Sequence, residues 1–190
     1  MQISNMPVKK QKETQKVKKV KAQLLQERVI ADDTNESKEI YDQSRFGERV
    51  EDKFQYALVE ALYLVEKGRM LVYDSKKKRI TKEDFIKKAQ MVEPTFWVRY
   101  AVYKDMRNRG YIVKTALKFG ADFRVYERGI KPGEDHAKWI LYPVHEGGAM
   151  TWYEFAAKNR VAHSTRKRLL LGIVDEENDV TYYEVAWKRP

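Results

Sequence analysis

The chain has 190 residues, a net charge of +10, 43% hydrophobic and 35% charged residues, and no cysteine. That length suits one ordinary domain or two small ones, and without cysteine neither disulfides nor thiolate zinc sites can form, in keeping with an expected cytoplasmic location. No window approaches the roughly 18 consecutive apolar residues of a membrane helix, the start M-Q-I-S-N-M-P-V-K-K lacks a secretory apolar centre, and plentiful Lys and Glu fit a heat-adapted protein.

Residues 1–30 carry eight Lys/Arg against two Glu, so most of the basic excess is a Lys/Gln-rich tail. A tail of this kind attracts polyanions without reading them, which favours nucleic acid over an acidic small molecule; the bland alternative is a solubilising segment. The tail, over 1–22, is expected to be mobile. Leu24–Ile30 reads as a first strand, followed by a loop of helix-starting residues and a weakly signalled helix around Lys38–Ser44.

A helix is predicted from about Glu51 to Lys67, because Phe54, Leu58, Leu62 and Val65 recur at helical spacing and Gly68 follows as a stop. Arg69–Asp74 reads as a strand and Ser75–Arg79 as a basic turn. Thr81 and Asp84 are spaced to open a short helix to about Met91. A second helix begins after Pro94 and ends at Gly110, with Trp97 and Tyr100 read as core. Tyr111–Thr115 is a strand, and a domain boundary is expected near Ala116–Gly120.

Beyond it, D-F-R-V-Y-E-R alternates as a strand does, and G-I-K-P-G-E-D is a turn-rich loop. His136–His145 reads as the next strand. Thr151 and Glu154 form a capping box for a helix through His163, and the chain ends in a hairpin whose turn is D-E-E-N-D. These elements predict an α+β protein of two small α/β domains. The first is a mixed α/β unit over 23–116. The second, over 117–190, has a central mixed sheet flanked by helices.

Three residues of the second unit stand out chemically. Tyr126 is followed ten residues later by His136, and thirty-one residues after that by Lys167. A phenol, an imidazole and an ammonium fill the roles of base, acid and fixed cation. His136 directly follows a Pro/Gly loop, where a side chain is usually exposed on a rigid base. His145 and His163 are read as end-of-element residues that cap carbonyls, and no two histidines stand at metal-ligand spacing. The Asp175–Asp179 run lacks the glycine and distal glutamate of a calcium loop, so it is read as a turn or an acidic protein contact.

Three segments carry a family resemblance. They are Y-E-R-G-x-K-P-G-x-D-H-A-x-W, R-K-x-L-L-L after the helix, and V-D-E-E-N-D-V-T-Y-Y-E-V-x-W-x-R-P. In order and spacing the chain resembles the archaeal tRNA-splicing (tRNA-intron) endonucleases, closely over about 118–190; Glu60–Arg69 looks like that family's N-terminal domain. The resemblance implies a catalytic subunit with the triad Tyr126, His136 and Lys167, and no cofactor or metal. It further implies RNA-binding arginines at Arg160 and Arg189, and a subunit-contact loop at Asp175, Glu176, Glu177 and Asp179. The implied substrate is precursor tRNA with a bulge–helix–bulge. The implied assembly is a homotetramer, or a heterotetramer with a non-catalytic paralogous subunit. A different class, a non-catalytic binder of structured RNA using the basic tail and aromatics, is the alternative.

Overall fold

The computed structural model describes residues 18–116 and 120–188. The basic tail expected over 1–22 therefore lies outside the described residues up to position 17, and its last residues belong to a strand. β1 (Val20–Leu24) turns tightly, with the Leu25 amide donating to the Arg28 carbonyl at 2.9 Å, into β2 (Arg28–Asp32). The single strand expected at Leu24–Ile30 is thus a hairpin. Val20, Ala22, Val29 and Ala31 point inward from its two arms, so the period-2 signal straddles the turn.

Thr34 caps α1 (Asn35–Ser44) by accepting the Ser37 amide. β3 (Glu48–Val50) and β4 (Lys53–Ala57) follow, and only then α2 (Leu58–Glu66). The helix predicted from Glu51 begins seven residues later. Phe54 and Tyr56 alternate into the core as strand residues, at 1% and 0% exposure. The helix opens where the Glu60 carboxylate accepts the Ala57 amide at 3.1 Å. Position 54 fits both periods, and its pairing with Ala31 decides for the strand. β5 (Met70–Tyr73) and α3 (Lys82–Val92), capped by Thr81, complete the first unit. Its sheet runs β3-β4-β2-β1-β5, antiparallel except for β1 and β5.

α4 (Phe96–Asn108) leads to a second sheet: β6 (Ile112–Ala116), β7 (Ala121–Tyr126), β8 (Trp139–His145), β9 (Arg168–Val174) and β10 (Val180–Val185), in order β10-β9-β8-β7-β6. β8 and β9 are parallel, joined through the crossover helix α5 (Trp152–Ser164); the other neighbours are antiparallel. β6 pairs with β7, so the division between the two sheets falls ahead of β6, not at 116–120. The expected boundary falls between two paired strands of the second sheet.

One core runs through both units. Leu58, Leu62 and Met70 from the first share it with Phe96, Tyr100 and Tyr103 of α4 and with Phe123, Leu141 and Leu170 of the second sheet. α4 is the shared layer. A smaller core under α5 contains Ile140, Tyr142, Ala162 and Leu169 from the sheet's opposite face and the helix. Tyr100 is core as expected, at 1% exposure; Trp97 is exposed to 37%, with its indole N–H donating to Asn178 Oδ1 at 2.6 Å.

Candidate active site

The second sheet ends in a rim where β7 stops and β8 and β9 start. Val125, Trp139 and Arg168 are paired across that rim as one row. One residue further out lie Tyr126, the last residue of β7, Lys138, whose amide donates to the Val125 carbonyl at 2.9 Å, and Lys167, directly ahead of β9. The strand ends thus bring Tyr126 and Lys167 to one rim, with β8 between their strands.

The loop from β7 to β8 delivers His136. It is built from local bonds: Glu134 accepts the Lys131 amide at 2.9 Å, its own amide returns to the Lys131 carbonyl at 3.0 Å, and Asp135 Oδ1 accepts the His136 amide at 2.6 Å. Gly133, at φ 98, takes a left-handed turn closed to other residues. His136 is exposed and precedes β8, so it is a loop residue and not the first residue of the expected strand.

Lys167 is placed by the end of α5. The Arg166 amide donates to the His163 carbonyl at 2.9 Å and the Lys167 amide to the Ala162 carbonyl at 2.8 Å. This nested pair is a Schellman motif, which reverses the chain directly into β9. The Lys167 ammonium donates to the Thr165 carbonyl at 2.8 Å.

His136 and Lys167 line the same open cavity of about 390 Å³, together with Asp135, Lys138, Arg166 and Arg168. Tyr126 does not line it; it sits at the rim, 5% exposed, and its neighbour Glu127 forms part of the wall. Cations outnumber carboxylates around the cavity. Lys138 is paired with Glu127, and Arg168 with Glu184 at 2.6 Å. The Trp139 indole N–H, foremost, and the Arg168 guanidinium hold the Glu184 carboxyl below its ordinary range. Such a site attracts a phosphodiester.

Arg160 lies elsewhere. It is exposed on α5 and lines a second cavity of about 670 Å³ between that helix and the end of β10, with Phe155, Asn159, Trp187 and Lys188. The His163 ring packs edge-on against Trp187 at 4.7 Å. Arg189 lies outside the described residues. Lys138, Arg166 and Arg168 were not singled out by sequence reasoning. The run R-K-R at 166–168 was the available signal, but a charge run ordinarily reads as solvated surface.

The acidic turn is ordered. Asp175 Oδ1 accepts the Asp179 amide at 2.8 Å, and Asn178, at φ 68, receives the Trp97 indole N–H. Glu176 lies 3.8 Å from His145 Nε2, and Glu177 and Asp179 are exposed.

Two family models match this chain. The N-terminal domain of tRNA intron endonucleases matches residues 20–86, and their catalytic C-terminal domain matches 96–182. The chain belongs to the tRNA intron endonuclease family. The second match starts at α4, so the family's catalytic domain includes the helix and β6 that the structure also groups with the second sheet. Among curated tRNA intron endonucleases, the tRNA-splicing endonuclease of Nanoarchaeum equitans is 50% identical over 76% of this chain and 97% of its own length. That of Thermococcus kodakarensis is 42% identical over 85% of this chain and 94% of its own. That of Methanothermobacter thermautotrophicus is 39% identical over 90% of this chain and 99% of its own. The likeness thus spans both units of the tRNA intron endonuclease, not the catalytic half alone.

Proposed function

We propose that this protein is a tRNA-splicing endonuclease that cuts precursor tRNA at bulge–helix–bulge sites, leaving a 2′,3′-cyclic phosphate and a 5′-hydroxyl without a metal ion. The observation that carries the reading is the rim of the second sheet, where His136 and Lys167 share one cation-rich cavity and Tyr126 ends β7 beside it.

In this reading the nucleophile comes from the RNA. The 2′-hydroxyl next to the scissile phosphate attacks phosphorus intramolecularly, so the protein supplies orientation, proton transfer and charge. Tyr126 takes the 2′ proton as the new O2′–P bond forms. The Lys167 ammonium stabilises the negative charge of the phosphorane. The P–O5′ bond then breaks, and His136 gives its proton to the departing 5′ oxygen. A phenol is ordinarily protonated at neutral pH, so the base role is the most demanding of the three. The near-complete burial of Tyr126 confines it to one orientation at the rim, which suits positioning of the 2′-hydroxyl as well as proton removal.

Arg160 and Arg189 would hold bulged bases between their planar guanidinium groups. The wall of Trp187 and Phe155 beside Arg160 supports that use, being part of an apolar and aromatic recess of about 670 Å³, which has room for a base. A bulge–helix–bulge offers two cleavage points, which calls for two active subunits in one homotetramer or heterotetramer, with the acidic turn as subunit contact.

The test is cleavage of a bulge–helix–bulge precursor by the full chain, with the ends analysed chemically. Cyclic-phosphate ends and undiminished activity in excess EDTA are expected. Linear 3′-phosphate formed without a cyclic precursor, or complete loss in EDTA, would sink the mechanism. RNA binding with no strand cleavage would favour a non-catalytic binder.

A further inference from the structure

Arg166 stands where glycine is the usual residue. In the Schellman motif that ends α5, the residue after the cap must be left-handed, and Arg166 is, at φ 54. An L side chain in that conformation costs stability that glycine would not. Arg45 closes α1 with a similar backbone, but its guanidinium is engaged by Asp42 at 3.7 Å and lies 5.0 Å from the Tyr41 ring centre. Among the described residues Arg166 forms no ion pair.

The other charges around the cavity have a partner or, in Lys167, an assigned role at the scissile phosphate. Lys138 is held by Glu127 and Arg168 by Glu184, Asp135 receives the His136 amide, and Lys167 donates to the Thr165 carbonyl. Arg166 remains as an exposed guanidinium fork on the wall shared with His136 and Lys167. A planar fork with paired N–H donors matches the two non-bridging oxygens of a phosphodiester.

We infer that Arg166 is a substrate-binding residue that grips an RNA phosphate next to the scissile one. The inference rests on the proposed RNA cleavage at this cavity. The scissile phosphate must keep its in-line approach open and already faces Lys167, whereas a fork on the adjacent phosphate fixes the strand without crowding the reacting atoms. A backbone contact of this kind sets register and affinity but carries no base preference.

The experiment compares Arg166→Gly and Arg166→Lys with wild type in the full-length protein, using an intron-containing precursor tRNA. Arg166→Gly relieves the left-handed backbone, so its melting temperature should hold or rise. Its KM should rise roughly tenfold, the loss of one charged hydrogen-bonding pair. Its kcat should stay within about twofold of wild type, because the interaction is made equally in ground and transition states. The slope of log KM against log salt should become shallower by roughly one. Arg166→Lys keeps the charge and loses the fork, so it should retain the salt slope with a smaller rise in KM.

An unchanged KM and salt slope in Arg166→Gly would overturn the inference, and so would a loss confined to kcat, which would place the guanidinium on the reacting phosphate. If wild type does not cut the RNA, the proposed reaction fails, and fluorescence anisotropy of the same RNA decides Arg166 separately. A weaker Kd with a shallower salt slope for Arg166→Gly supports the phosphate contact, while identical binding refutes it.

Discussion

Lys114 is buried with Glu60, at 4% and 3% exposure, yet every proton of its ammonium has an acceptor. It donates to the Gly47 carbonyl at 2.7 Å, the Arg45 carbonyl at 3.2 Å and Glu60 Oε1 at 3.2 Å. Glu60 in turn receives the Gly47 and Ala57 amides. β6 is thereby tied to the loop before β3 and to the start of α2. Lys114→Met would leave the buried Glu60 carboxylate without its countercharge and the Gly47 and Arg45 carbonyls without this donor, and we expect a loss of about 3–5 kcal/mol in urea unfolding. Adding Glu60→Gln should recover part of that loss. Gly47 cannot be replaced cheaply either: at φ 73, an added Cβ would lie 2.8 Å from the Tyr56 ring. At the rim, Tyr126→Phe removes one oxygen and nothing else. If Tyr126 moves the 2′ proton, kcat should fall by roughly 10²–10⁴; near-wild-type cleavage would remove it from the mechanism. For His136→Ala, an RNA with an activated 5′ leaving group should restore the rate, since such a group departs without a proton.

At the scale of elements, α5 matters most, because its two ends have opposite duties. The N-terminus is fixed by a reciprocal capping box: Thr151 Oγ1 accepts the Glu154 amide at 3.2 Å, and Glu154 accepts the Thr151 amide at 2.8 Å. The C-terminus launches Lys167. Thr151→Ala should cost about 1 kcal/mol, and hydrogen exchange should show the first turn opening while the rim stays protected. The backbone bond to Thr151, foremost, and the hydroxyl bond hold the Glu154 carboxyl below its ordinary range, and Glu184 is held down by Trp139 and Arg168. Both groups have lowered folded-state values. Their stabilisation is therefore fully present above the ordinary carboxylate range and is lost as pH falls through the lowered values. Glu184→Gln should flatten that acid limb of the stability curve and cost about 1 kcal/mol or less at neutral pH; a limb of unchanged steepness would contradict the role given to Glu184.

For the molecule as a whole, one core spans both sheets, so the two units should unfold in a single transition. Assembly is the other question at this scale. Asp175 is occupied in shaping its own turn, whereas Glu177 and Asp179 are exposed. The charge reversal that probes subunit contact is thus Glu177→Lys with Asp179→Lys, which leaves the Asp175 bond to the Asp179 backbone amide intact. If the turn docks on a neighbour, light scattering should show a smaller mass for this variant. An unchanged mass would refute that use of the acidic turn.

Much of this protein was legible in the residues themselves. Local signals act over a few positions, so the helix caps at Thr81 and Thr151, the Pro/Gly loop before His136 and the terminal hairpin could be read directly, as could the two-unit α+β plan. Tyr126, His136 and Lys167 could be named from chemical type, spacing and family resemblance. Pairing could not be read, because it joins residues far apart in the chain. Position 54 became a strand residue through Ala31, and Ile112–Ala116 joined the second sheet through β7. The same long-range pairing brought Tyr126 and Lys167 to one rim and left Arg160 in its own recess. A left-handed arginine beside a shared cavity has no signature in a charge run; only the helix end and the rim, brought together, single out Arg166.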